Sequence, residues 1–580
     1  MSARNGAPRG SARTPGRTSG RNEEAVEVGV PFDLLLSRAT EGSWRNLVPT
    51  PSSTLKLAGA LARRPRTVVS QSATLTGELA KVVAGRSELA PHPKDARYAH
   101  PAWQENPVLR RALQAHLAVS ASAEQLVANA GLDENAGHRV TLTVSNLLDA
   151  TAPSNNLVLN PGALATAKET KGASLVRGTR NLVRDLSAPP RVPRMVEPDA
   201  FEVGVNVAAT PGAVVERTAV YELLQYNATT PTVRRVPLLL VPPVINKYYV
   251  ADMAPGRSMV EYLVGQGHQV FVMSWRNPDV RHSAWNLDTY GDAIVNAIGT
   301  ARQICGSESV SLLSFCSGGI LSAMVLAHLA DTGRLTDVSA AAWSVTVLDQ
   351  SRAGVAGALL TPAAAEAAAR SSAARGYLDG RVLAEVFAWL RPRDLIWNYW
   401  VDSYLMGKSP RPFDVLFWNA DTTRMAAALH KDFLAMAQQN SLVHPGMATM
   451  LGSPVDLGTV DIDTYITGGI NDHLCPWESC YASTQLLGGN SRFVLSSAGH
   501  VASIVNPPTN PKATFRIADS TPADAHDWLK AAETVKGSWW PDFSQWLHEH
   551  GGEMVDAPST PGSAEHPAIV AAPGTYVRAT

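Results

Sequence analysis

The sequence predicts an α/β fold: a mainly parallel sheet with helices on both faces. Three observations predict it. From about residue 201, short apolar runs alternate with helical segments, the pattern of βαβ units. Cys316 stands between one such run and a helical stretch and is followed by Gly318 and Gly319. Two later apolar runs each end in a turn containing glycine, one leading to Asp472 and the other to His500.

The chain has 580 residues, 45% hydrophobic and 17% charged, enough for a large core and for two domains. Residues 1–26 are rich in Arg, Gly, Ser and Pro and lack the apolar stretch of a secretory signal, so they read as a disordered basic tail. Residues 27–200 read as a helical N-terminal domain. In it Asn106-Pro107 is an N-cap followed by proline at the first helical position. Leu109, Leu113 and Leu117 then form an apolar stripe, read as core rather than as a partner surface.

Residues 201–546 carry the predicted sheet. Candidate strands are 220–226, 236–241, 270–275, 310–315, 341–348, 464–467 and 493–495. A helical segment rich in Trp, Tyr and Ala, about 350–446, interrupts the alternation after a strand and is expected to be a cap. Its aromatics are expected to form mostly the cap's own core. Residues 547–580, rich in Pro, Ala, Ser and Gly, read as a low-complexity, loosely ordered tail.

The stretch 310–313 reads as a buried strand, and Ile320, Met324 and Ala327 continue at helical spacing. A reactive side chain between strand and helix, followed by glycines, is the pattern of a nucleophile elbow. A side chain at Gly318 or Gly319 is expected to clash with the neighbouring strand or helix. A lone cysteine in apolar surroundings is usually a small hydrophobe; the strand-turn-helix setting favours a thiol nucleophile instead. Asp472 and His500 follow it in the order nucleophile, acid, histidine, which specifies an α/β-hydrolase fold. Asp472 could simply cap a helix, and His500 could be a turn residue. Asp349 competes for the acid's role because it also ends a strand; chain order favours Asp472. The backbone N–H groups of Ser317 and Val244 are the candidate oxyanion donors, Val244 being the first residue with an N–H after Pro242-Pro243. The alternative for Val244 is a merely rigid strand end.

Composition bounds the rest. A net charge of −1 gives no bulk electrostatic case for nucleic acid. Four cysteines suggest a reducing compartment, the cytoplasm, rather than a disulfide framework. Cys475 and Cys480 lack a second pair at zinc-like spacing and read as structural or incidental; no metal or cofactor is expected. No apolar run is long enough to span a bilayer.

Several runs together resemble the polyhydroxyalkanoate synthases. They are Val241-Pro242-Pro243-Val244-Ile245-Asn246-Lys247-Tyr248-Tyr249, Ser274-Trp275-Arg276-Asn277-Pro278 and Asp394-Leu395-Ile396-Trp397-Asn398-Tyr399-Trp400. Leu416-Phe417-Trp418-Asn419-Ala420-Asp421-Thr422-Thr423-Arg424, Asn471-Asp472-His473, and Gly499-His500 with Asn506-Pro507-Pro508 complete the set. The resemblance covers about 85–545, and the closing Pro573-Gly574-Thr575-Tyr576-Val577 fits it too. One departure stands out: the family's G-x-C-x-G-G box here begins with Ser314.

The resemblance implies polymerisation of (R)-3-hydroxyacyl-CoA into polyester, with CoA released and Cys316 carrying the acyl group. It implies a role for Asp472 in elongation. It also implies a growing polyester chain and granule surface as partners, with granule-associated proteins, a homodimer, and a cytoplasmic, granule-bound location. The wording around Asp421-Thr422-Thr423-Arg424 and the ending lean to the medium-chain-length, single-polypeptide type. CoA enters as substrate and leaves as product, so no cofactor is implied. A thioesterase or lipase-like hydrolase on the same fold is the first rival. A non-catalytic granule protein is the second.

Overall fold

A computed structural model of the chain describes residues 51–93, 95–352, 362–390, 392–472 and 474–580. The expected basic tail, the first part of the helical domain and cap residues 353–361 lie outside the described residues.

Over its described residues the N-terminal region is helical, from Pro51–Ala62 to Ala173–Leu186. The Asn106 side chain accepts the backbone N–H groups of Val108 and Leu109, at 2.9 and 3.3 Å, and starts the helix Pro107–Ala128. Leu113 is buried with Tyr98 and Trp103, and Leu109 and Leu117 pack on that cluster, so the leucine stripe is core.

The sheet strands are β1 (Gly212–Arg217), β2 (Tyr221–Tyr226), β3 (Leu238–Val241), β4 (Val270–Trp275), β5 (Val310–Phe315), β6 (Val338–Ser344), β7 (Asp463–Gly469), β8 (Ser491–Ser496), β9 (Thr514–Ile517), β10 (Glu533–Lys536) and β11 (Val570–Ala571). Their spatial order is β10-β9-β8-β7-β6-β5-β3-β4-β2-β1-β11. The six strands from β8 to β4 run parallel, and antiparallel strands flank them on both sides. Every residue of β3, β4 and β5 is buried, as a parallel sheet covered on both faces requires. This is the α/β-hydrolase architecture. The strand expected at 341–348 is β6, and it stops at Ser344. Val345 turns to φ 46° and donates its N–H to Thr467 O at 2.9 Å.

The cap lies between β6 and β7. It contains the helices Pro362–Arg375, Gly380–Leu390, Asp414–Ala420 and Ala427–Gln439. The aromatics expected to form mostly the cap's own core do so in part: Trp389, Trp397 and Trp400 pack on one another and cluster with Ala388 and Ile396 of the same segment. Trp397 and Trp400 pack in a cluster with Val192 and Ala150 of the N-terminal region. Trp400 Nε1 donates to Asn155 O at 3.3 Å, and the Tyr404 hydroxyl donates to Asp185 at 3.1 Å. Trp418 turns the other way and donates its indole N–H to Lys247 O, at 2.7 Å, beyond the end of β3. The segment between β6 and β7 therefore bridges the helical region and the sheet.

The C-terminal segment corrects an expectation. Residues 547–580 do not form a loose tail. β11 pairs with β1, and Thr575 N and Tyr576 N donate to the fully buried Glu222, at 2.8 and 2.9 Å. Lys247, 3% exposed, donates to Val577 O at 2.7 Å and to Ala579 O at 2.5 Å. Lys247 and Glu222, the latter also ion-paired with Arg217 at 2.7 Å, thus both bond backbone groups of a segment whose composition alone reads as disorder.

Candidate active site

Cys316 follows β5 directly and has φ 48° and ψ −121°, the left-handed backbone of a sharp elbow. The helix Ser317–Asp331 starts at the next residue. The two glycines are required sterically. A Cβ on Gly318 would lie 2.5 Å from the carbonyl oxygens of both Val241 and Pro242. A Cβ on Gly319 would lie 2.1 Å from Thr346 Oγ1. The elbow forms with Ser314 at its first position. That residue is fully buried in β5, and its hydroxyl meets no protein hydrogen-bond partner.

The three separated residues meet at the C-terminal ends of β5, β7 and β8. Cys316 Sγ lies 3.2 Å from His500 Nε2, and His500 Nδ1 lies 2.8 Å from Asp472 Oδ2. The other carboxylate oxygen, Oδ1, accepts the backbone N–H groups of Leu474 and Cys475, at 2.8 and 2.9 Å. These bonds fix the plane of the carboxylate. Burial by itself would push the imidazole down; the Asp472 charge, with Cys316 and Cys475 beside it, outweighs that and holds His500 well above the usual imidazole range. Asp349 is engaged elsewhere, accepting from Ser351 N and from Asn440 Nδ2 at 2.8 Å each.

The two candidate oxyanion residues also meet, in a way the sequence did not suggest. Val244 N–H donates to Ser317 Oγ at 3.2 Å. Ser317 N–H is the first of its helix and has no intrahelical acceptor. Val244 N–H would become available once the Ser317 hydroxyl turns aside.

Cys475, read as structural or incidental, is part of the buried core and also lies beside the triad. It is 2% exposed, and its ligand atom lies within 4.8 Å of those of Asp472 and His500. Burial, only partly offset by His500, pushes its thiol up to about 12. The turn at Asp472 carries it there: Asp472 Oδ1 bonds the N–H of the residue three positions on. The signal available in the sequence was a thiol three residues after the candidate acid.

The distinctive runs fold onto one another beside this site. Pro242 O accepts from Trp275 Nε1 at 3.0 Å, and Ile245 O accepts from Thr423 N at 3.1 Å. Arg424 N donates to Asn277 Oδ1 at 2.9 Å, and the Tyr249 hydroxyl donates to Asp421 at 2.8 Å. The strand-end loop that holds Val244 is thus locked by the 350–446 segment and by Trp275 at the end of β4. Cys316 is 9% exposed and belongs to one continuous buried core with the cap residues Leu429 and Phe433. No helix among the described residues is long and apolar enough to cross a membrane.

Residues 94–263 match the family described as poly-beta-hydroxybutyrate polymerase (PhaC) N-terminus, and 246–507 match the α/β-hydrolase fold. Poly(3-hydroxyalkanoate) polymerase 2 of Ectopseudomonas oleovorans is 42% identical over 89% of this chain and 92% of that protein. Poly(3-hydroxyalkanoate) polymerase 1 of the same organism is 43% identical over 86% and 89%. The poly(3-hydroxyalkanoate) polymerase subunit PhaC of Cupriavidus necator is 39% identical over 85% of each chain.

Proposed function

The chain belongs to the poly(3-hydroxyalkanoate) polymerase family, and we propose that it polymerises (R)-3-hydroxyacyl-CoA, releasing CoA, through an acyl thioester on Cys316. The observation that carries the mechanism is the relay from Cys316 through His500 to Asp472, with contacts of 3.2 and 2.8 Å.

His500 takes the thiol proton, and the Cys316 thiolate attacks the thioester carbonyl. The CoA sulfur leaves with the proton from His500. Thioester for thioester is nearly isoenergetic, so the acyl group keeps its transfer potential. The second step is attack by a 3-hydroxyl group, which forms an ester and returns the thiol. The hydroxyl needs a general base. Asp472 has both oxygens engaged, by His500 Nδ1 on one side and by two backbone N–H groups on the other. That supports His500 Nε2, the nitrogen facing Cys316, as the base in both steps.

A polymerase must keep water from the acyl-enzyme, whereas a hydrolase must admit it. The slight exposure of Cys316 and the packing of the cap support exclusion, and substrate entry then requires the cap to move. On the resemblance set out above, we further read the enzyme as the medium-chain-length type, a homodimer, cytoplasmic and bound to polyester granules.

The test is CoA release with C4 and C8 3-hydroxyacyl-CoA, with the product recovered from each. High-mass polyester, larger in yield from C8, is expected. Free hydroxy acid in place of polymer would assign the thioesterase reading. CoA release undiminished in Cys316→Ala would overturn the mechanism.

A further inference from the structure

We propose that Asp472, Cys475 and His500 form a site for a thiophilic divalent cation, with Zn²⁺ as its probe, and that filling it switches off the triad. One ligand atom from each residue already lies within 4.8 Å of the others. A carboxylate oxygen, a thiolate and an imidazole nitrogen are the three ligand types that bind zinc, and three protein ligands leave a fourth position open. The donors sit on rigid supports. Asp472 and Cys475 share one turn, pinned by two backbone N–H bonds to Oδ1, and His500 starts a helix just beyond β8, the parallel neighbour of β7. The proposed reaction makes no use of the Cys475 thiol.

The ring nitrogen facing Asp472 is Nδ1, so the cation takes the place of the proton shared between Nδ1 and Oδ2. The Cys475 thiol loses its proton to solvent. The imidazole proton moves from Nδ1 to Nε2. Nε2–H then faces Cys316 and can no longer accept its proton. Tetrahedral zinc places its nitrogen and oxygen ligands about 3.4 Å apart and its sulfur about 3.6 Å from either, so the 2.8 Å Nδ1–Oδ2 contact must open and Cys475 Sγ, now within 4.8 Å of both, must close in. Inhibition of the polymerase rests on the function proposed above, whereas cation binding does not, so the two can fail separately.

The experiment titrates metal-free enzyme with Zn²⁺ by calorimetry, and with Co²⁺ to read the thiolate charge-transfer absorption. CoA release is followed in parallel. One ion per chain is expected, with CoA release falling in step with occupancy and recovering on chelation. Cys475→Ala and Cys475→Ser should both weaken Zn²⁺ by more than the roughly 10–100-fold that loss of an outer-shell partner costs. CoA release by each variant, scaled to its own rate in metal-free buffer, should no longer fall when Zn²⁺ is added. The cobalt band should vanish in both and persist in Cys316→Ala. Undiminished Zn²⁺ affinity in the two Cys475 variants, or a band lost only with Cys316, would assign the cation to the Cys316–His500 pair and overturn the proposal. Absence of saturable binding to wild type would overturn it as well.

Discussion

Asp472→Asn changes one atom and should nearly abolish turnover. Oδ1 is held by the N–H groups of Leu474 and Cys475, at 2.8 and 2.9 Å, so the new carbonyl oxygen must occupy that position. The amide NH₂ then faces His500 Nδ1 across the 2.8 Å contact. Two donors cannot share a bond, so Nδ1 becomes an acceptor and the imidazole proton moves to Nε2. That nitrogen faces Cys316 and ceases to be a base. The same change in a serine triad lowers kcat about 10⁴-fold, or about 5.5 kcal/mol. CoA release under saturating substrate, followed with a thiol reagent, should fall by that order while the fold is retained. The stability of the variant adds a second readout. Asp472 raises the folded-state value of His500, so its contribution is full below about pH 6.5, the unfolded value, and is lost as pH rises through the folded value. The stability gap between wild type and variant should therefore narrow towards alkaline pH. A loss of turnover under about tenfold would refute the tautomer argument, because no base of the correct form would then be needed.

Three further outcomes follow from the packing. Gly318→Ala places a Cβ 2.5 Å from two backbone oxygens that cannot swing aside; it should destabilise the enzyme by about 1–3 kcal/mol and displace Cys316, read as a lowered melting temperature together with lost CoA release. Ser314→Ala removes a buried hydroxyl without a protein partner and should stabilise the chain by about 1 kcal/mol, with a melting temperature that rises rather than falls. Lys247→Met removes the bonds to Val577 O and Ala579 O; amide exchange across 570–579 should speed up by at least about tenfold, as hydrogen-exchange mass spectrometry would detect.

The parallel sheet was legible because its strands are buried on both faces and so appear as continuous apolar runs. The elbow was legible because steric need writes Gly318 and Gly319 into the sequence beside Cys316. Asp472 and His500 could be placed because each lies just past a strand end, in an order that the topology imposes. Other features depend on contacts between distant segments. β11 pairs only two residues, in a stretch of Pro, Ala and Gly, and its docking relies on Glu222 and Lys247, far away in sequence. The cap tryptophans carry no local sign of which neighbour they face, so their sharing with the helical region through Trp397 and Trp400 was hidden. Cys475 has no cysteine pair at ligand spacing along the chain to mark it, because its neighbours in space, Asp472 and His500, are of other kinds.

The central claim is that Cys316 carries the growing acyl chain. Intact-protein mass spectrometry after a single-turnover pulse of 3-hydroxyacyl-CoA, followed by peptide mapping, tests it most directly. The expected result is a thioester adduct on the peptide holding Cys316, discharged by further substrate as polymer lengthens, and absent from Cys316→Ala. An adduct on another residue, or polymer formed by Cys316→Ala, would contradict it.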